Sequence, residues 1–440
     1  MRPASSPIAA PAPPALGFTA LAGLFFFIVI LKLGDPVVIP TDTLTPDTLT
    51  DVIFGVWPNS WGIYLFLPML VGGLALIRWK GVRVSWPLAL PLAWLLWQFV
   101  SATHTVDATL TNATLSHFTA CVVLFYLGYF GMRDVGWPWP LLLGFSLAFC
   151  WIIHSGFEQH FGGLEATREQ VHKAYGANWA QMAHDNPDFV KRIESNRIFA
   201  TFVYPNALAG GLLLLLPVSL AFLWQLTPKV STRVRIVFVG VLGGCGLAAL
   251  YWSGSKAGWL IALVMALLAL IYSSLPRKFK MGLIAAIVIL GLTAFVIHNT
   301  RYFERGATSV AARFDYWKAA LQTIRAHPLL GSGPGTFSRP YAQLKEPQSE
   351  MARLTHNDYL EQGSDSGLIG MALYCFFIFL TIFRVFQRKF LGNWAKAPWF
   401  AALTLGLLGI CLQSFVEYHL YIPALAWPAF FLFGWVWQEK

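Results

Sequence analysis

Of the 440 residues, 56% are hydrophobic and only 12% are charged, against about 45–50% and about 25% in an ordinary soluble domain. Lipid rather than water is therefore the main solvent of this chain, and a soluble globular enzyme is excluded. The formal net charge of +10 does not indicate a nucleic-acid partner, because the basic residues gather in short loops between apolar runs, where they set topology.

Apolar runs follow one another near 16–31, 61–77, 84–101, 115–131, 137–156, 198–224, 234–252, 257–274, 281–298, 366–383, 399–416 and 420–437, each ended by charged or turn residues. A spanning helix needs about 20 such residues, and in lipid every backbone polar group must be bonded internally. The runs predict an all-α polytopic membrane protein with about 12 transmembrane helices. The short alternating strands of a membrane barrel are absent from the sequence. The first run follows a proline-rich stretch (Pro3, Pro7, Pro11, Pro13, Pro14) with no small-residue cleavage site, so it reads as a retained span.

With the N-terminus inside, alternate short loops hold Arg78, Lys80 and Arg83, then Arg133, then Lys229, Arg233 and Arg235, then Arg277, Lys278 and Lys280, then Arg384, Arg388, Lys389 and Lys396. The short loops on the other side hold only Lys32 and Lys256. Positive residues stay inside, so both termini are expected in the cytoplasm. The chain then divides into a tail at 1–15, five spans over 16–156, an outer loop at 157–197, four spans over 198–298, a large outer loop at 299–365, and three spans with the C-terminus over 366–440. Trp57, Trp61, Trp79, Trp86, Trp137, Trp139, Trp252, Trp259 and Trp427 lie near span ends and read as interfacial anchors.

In the second outer loop, Phe314, Trp317, Leu321 and Ile324 recur at helical spacing between Ala311 and Arg325, with Asp315, Lys318, Gln322 and Arg325 off that stripe. This pattern predicts a helix lying on the membrane surface. Pro328 and the run Gly331-Ser332-Gly333-Pro334-Gly335 end it.

Four segments put polar or cationic groups where lipid makes them costly: Arg197-Ile198-Phe199-Ala200-Thr201-Phe202-Val203-Tyr204-Pro205-Asn206, Ser253-Gly254-Ser255-Lys256-Ala257-Gly258, Arg313-Phe314-Asp315-Tyr316-Trp317 and Thr355-His356-Asn357-Asp358-Tyr359-Leu360. By the derived topology all four reach the outer surface, where they can share one site. Fixed cations there suit the diphosphate of a lipid carrier, Arg through a fork of donors and Lys as a point charge. The competing reading is that these cations snorkel to headgroups. Histidine can take a proton from a hydroxyl near neutral pH, which makes His356 a candidate base.

Other motifs carry less. Ser253-Gly254-Ser255-Lys256 matches the Ser-x-x-Lys of acyl-serine enzymes, but the sequence has no soluble domain to build the oxyanion hole. Gly331 to Gly335 lacks the Gly-Lys-Ser/Thr and the preceding strand of a phosphate loop and reads as a turn. No Asp-x-Asp or His-Glu-x-x-His occurs, and the spacing of Asp35, Asp42, Asp47 and Asp51 is that of a solvated loop, so no metal is expected. Cys121, Cys150, Cys245, Cys375 and Cys411 all fall in apolar runs, which argues against a disulfide framework.

In this order and topology the segments resemble the O-antigen ligase family of bacterial envelope enzymes, whose core and large periplasmic loop are shared with O-antigen polymerases and bacterial protein O-oligosaccharyltransferases. The resemblance covers most of the chain. It rests on the stretches at 197–206 and 253–258, on Arg313 with Trp317 followed by His327-Pro328-Leu329-Leu330-Gly331-Ser332-Gly333, and on His356-Asn357-Asp358-Tyr359-Leu360 with Asp365-Ser366-Gly367-Leu368-Ile369-Gly370. It implies a C-type glycosyltransferase-like fold in the bacterial inner membrane. Such an enzyme moves a glycan from undecaprenyl diphosphate to an acceptor hydroxyl, lipid A–core for a ligase, on the periplasmic side, with inversion and with no nucleotide sugar, metal or other cofactor.

Carried over, His356 is the catalytic histidine, and Arg197 and Arg313 bind the diphosphate. Lys256 stands where the family often has Arg, and Asp365 where Glu is common. Asn206, Asn357, Asp358, Tyr359 and Asp365 are candidate supporting residues, and the sequence leaves open whether Asn357, Asp358 or Asp365 orients the imidazole. The same chemistry toward another lipid-linked repeat unit makes a polymerase. A transporter is the reading from a different class; it is disfavoured because no hydropathy repeat stands out and the polar groups gather at one face.

Overall fold

The computed structural model describes residues 13–39, 46, 48–79, 85–133, 135–176, 179–181, 190, 193–226, 230–273, 275–304, 308–347, 349–387 and 397–438. Pro3, Pro7, Pro11, Asp42, Asp47, Lys80, Arg83, Lys229, Arg388, Lys389 and Lys396 lie outside them. In chain order the helices are α1 (Pro13–Lys32), α2 (Leu49–Phe54), α3 (Gly62–Leu76), α4 (Ala89–Ala102), α5 (Ala108–Gly131), α6 (Trp139–Glu158), α7 (Leu164–Tyr175), α8 (Pro205–Leu226), α9 (Thr232–Trp252), α10 (Lys256–Tyr272), α11 (Arg277–Glu304), α12 (Thr308–Ala326), α13 (Ser338–Leu344), α14 (Asp358–Gln387), α15 (Pro398–Gln413) and α16 (Pro423–Val436). Eight of them, α1, α3, α5, α6, α8, α9, α11 and α14, are long and apolar enough to cross a membrane, and α4, α10, α15 and α16 are shorter apolar helices. These twelve stand one for one at the twelve apolar runs, and the chain is a polytopic membrane protein.

Burial follows composition. α16 is apolar on every face and every residue from Pro423 to Val436 is buried, packed on α5 and α1, as expected of a helix with no polar stripe. No residue of the 277–297 span of α11 is buried inside the protein, so that helix meets lipid. Between apolar helices in lipid, close packing and interhelical hydrogen bonds hold the bundle. Trp94 Nε1 donates to Gln362 Oε1 at 2.8 Å and Trp437 Nε1 to Thr381 Oγ1 at 2.8 Å, each contributing about 1 kcal/mol. Trp427 belongs to this interior and is not an interfacial anchor: it is 4% exposed, stacks on Phe25 and donates to His117 Nδ1 at 3.0 Å.

The ends of several helices depart from the apolar runs. α14 starts at Asp358, eight residues before the run, because Asp358, Glu361, Gln362 and Asp365 are buried against protein rather than lipid, and a kink at Ser366 and Gly367 joins this polar turn to the apolar span. α12 covers the predicted helix at 311–325 and packs on protein by one face. Tyr316, Ala319, Ala320, Thr323 and Ile324 are buried, with Tyr316, Ala319 and Ala320 in a small cluster with Phe337 and Tyr341, while Phe314 and Leu321 point out. Small alanines let the helix sit close to its neighbours, and of the bulkier stripe Ile324 is buried with them while Phe314 and Leu321 stay outside. Asp35 is buried as well, contrary to a solvated-loop reading, whereas Asp51 closes a capping box with Thr48 at the start of α2.

Candidate active site

At one end of the bundle, chain turns, helix starts and α12 present the polar groups. Arg197 comes from the irregular segment before α8, Asn206 from the first turn of α8, Lys256 from the start of α10, Arg313 from α12, and His356 from the residues leading into α14. Asn206, Arg313 and His356 converge on Glu417, in the turn between α15 and α16. Its Oε1 accepts from Arg313 Nη2 at 2.5 Å and from Asn206 Nδ2 at 2.6 Å, and its Oε2 lies 3.1 Å from His356 Nδ1. Arg197 joins through Asn206, donating from Nη2 to Oδ1 at 2.7 Å.

His356 adopts φ +52°, one of two non-glycine residues in the left-handed region among those described. Such a conformation costs roughly 1–3 kcal/mol and persists where the surroundings over-determine it. Here they do. The Asn357 N–H donates to Thr355 Oγ1, Asn357 Oδ1 caps α14 by accepting from the N–H groups of Tyr359 and Leu360, and the Thr355 N–H donates to Glu361 Oε2. The ring packs against Tyr316 at 5.7 Å and the edge of Tyr418 at 4.7 Å. A carboxylate at Nδ1 selects the Nδ1–H tautomer. That leaves the Nε2 lone pair, on a ring that is 26% exposed, with no hydrogen-bond partner among the described residues.

Neither Asn357, Asp358 nor Asp365 orients the imidazole. Asn357 is spent on the helix cap, and the Asp358 carboxylate accepts from the Leu420 N–H at 3.1 Å, tying the start of α14 to the turn that carries Glu417. Tyr359 donates its hydroxyl to the Cys411 carbonyl. Asp365 lies under the glycine run. Gly331, Gly333 and Gly335 have φ of +64°, +108° and +75°, a path that only glycine follows freely. The Gly335 N–H donates to Asp365 Oδ2 at 2.6 Å, as does the Tyr421 hydroxyl at 2.6 Å. The run is thus an anion nest filled by the protein's own carboxylate. Asp365→Ala strands two buried donors and is expected to destabilise the protein by roughly 2–4 kcal/mol, read as a lower thermal midpoint in detergent; an unchanged midpoint would remove Asp365 as the anchor.

The Ser253-Gly254-Ser255-Lys256 turn serves Arg197. The Ser253 carbonyl accepts from Arg197 Nε at 2.7 Å, Gly254 sits at φ +61° with its Cα against that side chain, and Ser255 caps α10. Ser253 Oγ is turned back onto the Leu250 carbonyl at 2.7 Å, which is not the posture of a nucleophile. Arg197 and Arg313 lie close enough to Lys256 for their charges to repel it. Two of these cations stand at one carboxylate, Arg313 directly and Arg197 through Asn206. Burial acts to raise the Glu417 carboxyl, but the charges of His356 and Arg313 outweigh it and hold the group at about 2. Burial lowers the Arg197 guanidinium from its ordinary range, with Glu417 opposing and Arg313 reinforcing; arginine stays charged through such shifts. Among the described residues no three His, Cys, Asp or Glu side chains are grouped to hold a metal ion.

Glu417 is the member of this cluster that the sequence reading missed. Its signal was present: it is the sole acidic residue between Asp365 and Glu439, set between two apolar runs.

An all-helical membrane bundle with a histidine, a carboxylate and three cations gathered at one end defines a polytopic membrane protein of enzyme-like construction. Residues 241–375, less than a third of the chain, match the family model described as O-antigen ligase, so this part of the chain is similar to a family whose members are membrane glycosyltransferase-like enzymes. The match includes Lys256, Arg313, the glycine run and His356, and leaves out Arg197, Asn206 and Glu417. An uncharacterized protein of Haemophilus influenzae is 28% identical over 169 residues, covering 33% of this chain and 42% of that protein, so the aligned part spans less than half of the relative's length.

Proposed function

We propose that this protein is an O-antigen ligase-like glycosyltransferase of the bacterial inner membrane, with both termini cytoplasmic, that moves a glycan from undecaprenyl diphosphate to an acceptor hydroxyl of lipid A–core at the periplasmic face. The observation that carries this reading is the His356–Glu417 pair, with Arg313 on the same carboxylate, Arg197 linked to it through Asn206, and Lys256 within the field of both guanidinium groups. Nε2 takes the proton of the acceptor hydroxyl as its oxygen bonds to the anomeric carbon. The carbon–oxygen bond to the diphosphate breaks on the opposite face, its electron pair staying with the phosphate oxygen, so configuration inverts. Glu417 stabilises the imidazolium that forms, and the cations stabilise the departing diphosphate without giving it a proton. Arg197 spends Nε and one Nη2 hydrogen on protein partners among the described residues, leaving N–H groups of its five for phosphate oxygens.

Purified protein given undecaprenyl-diphosphate-linked glycan and lipid A–core tests the reading by its product. A lipid A–core conjugate supports it, longer carrier-linked chains make the protein a polymerase, and absence of any glycosidic product would sink it. Arg197→Ala is expected to weaken binding of the lipid diphosphate by about 10–100-fold, the worth of one or two charge-assisted hydrogen bonds. Unchanged affinity in a titration would remove Arg197 from the donor site.

A further inference from the structure

Residues 195–199, which carry Arg197, have no helix or strand of their own. Two side chains from the beginning of the first outer segment hold this stretch, one on each side of Arg197. Gln159 opens a kinked turn, Gln159–Gly163, between α6 and α7, in which Phe161 and Gly162 leave helical backbone angles. Its buried amide accepts from the N–H groups of Phe199 at 2.9 Å and Ala200 at 2.8 Å and donates to the Ala200 carbonyl at 3.2 Å. Ala200 is the other residue in the left-handed region, at φ +50°, so the amide fork fixes a conformation that alanine does not favour by itself.

On the other side stands Arg168 of α7. Its Nε donates to the Ile193 carbonyl at 3.0 Å, and Nη2 donates to the Glu194 and Ser195 carbonyls at 3.1 Å each and to Asn196 Oδ1 at 2.7 Å. Nη1 is held by Glu165 at 2.8 Å. A guanidinium with these partners works as a cage for backbone carbonyls, a geometry that a lysine point charge cannot reproduce. The Ser195 hydroxyl then accepts from the Arg197 N–H at 3.3 Å.

We infer that Gln159 and Arg168 are positioning residues that preset Arg197 for an anionic diphosphate; the inference rests on the function proposed above. An unbraced stretch would lose roughly 1–2 kcal/mol of backbone entropy per residue on ordering around a ligand. Ordering it beforehand moves that cost out of the binding step. Neither residue lies within the 241–375 match.

The test titrates undecaprenyl diphosphate into the full-length protein in nanodiscs, for the wild type, R197A, R168K, Q159A and the double variant R197A/R168K. R168K and Q159A are each expected to weaken binding roughly tenfold, as for one or two lost hydrogen bonds. In the R197A background R168K is expected to have no further effect, since both act through one group. Arg168 is partly exposed, so R168K decides the matter even where Q159A fails to fold. Wild-type binding by R168K, or an equal loss in the R197A background, overturns the brace while the diphosphate reading stands. Wild-type binding by R197A overturns the diphosphate reading, and the brace with it.

Discussion

His356→Asn is expected to slow glycan transfer by about 10²–10⁴-fold, the usual worth of a positioned general base, with donor affinity nearly unchanged. Asparagine is the informative replacement because it tolerates the left-handed backbone at this position better than alanine does. The turn that leads into α14 is thereby kept while the proton acceptor is removed. A base that acts only as the hydroxyl attacks stabilises the transition state and not the bound donor, so the loss falls on kcat and equally on kcat/KM. His356→Ala should show the same chemical loss plus a strained turn. Transfer by His356→Asn at the wild-type rate in the reconstituted assay would remove His356 as the base, whatever the alanine variant does.

The helices were legible because lipid imposes a simple rule on sequence. Twelve apolar runs gave twelve apolar helices, since composition alone decides where a backbone can cross a membrane. The same rule fails where protein replaces lipid as the surroundings. The first two turns of α14 read as loop because Asp358, Glu361 and Asp365 are charged, yet they are fully buried on helix caps and loop amides. Trp427 read as an anchor by its place near a span end, although α16 runs through the middle of the bundle.

For the site, Arg197, Lys256, Arg313 and His356 announced themselves as polar groups at span ends, and the structure brings them together. What no spacing discloses is that the turn at Glu417, 61 residues after His356, folds back over the start of α14. That contact depends on the Asp358 carboxylate receiving the Leu420 N–H, a long-range pairing with no local period. Likewise, Asn206 read as a supporting residue of unstated role and proves to be the link between Arg197 and Glu417.

Glu417→Gln is the second change with a large expected effect, and it tests the pair rather than the base alone. The amide keeps the volume but removes the charge that holds Arg313, Asn206 and His356 in place. Breaking a buried ion pair from one side costs about 3–5 kcal/mol of stability, because the remaining charge is left without its partner. Transfer should fall by about 10²–10⁴-fold as well, since the amide can reverse the imidazole tautomer and offers no charge to the imidazolium. The acid limb of stability changes too. The folded-state carboxyl sits at about 2 against an ordinary 4.5, so its contribution is fully present above about 4.5 and is lost as pH falls through 2. In Glu417→Gln that part of the loss disappears from thermal unfolding scans between these two values. Because base and carboxylate act as one unit, the double variant His356→Asn/Glu417→Gln should transfer no more slowly than His356→Asn alone. If the two losses multiply instead, Glu417 acts on the cations and not through the imidazole.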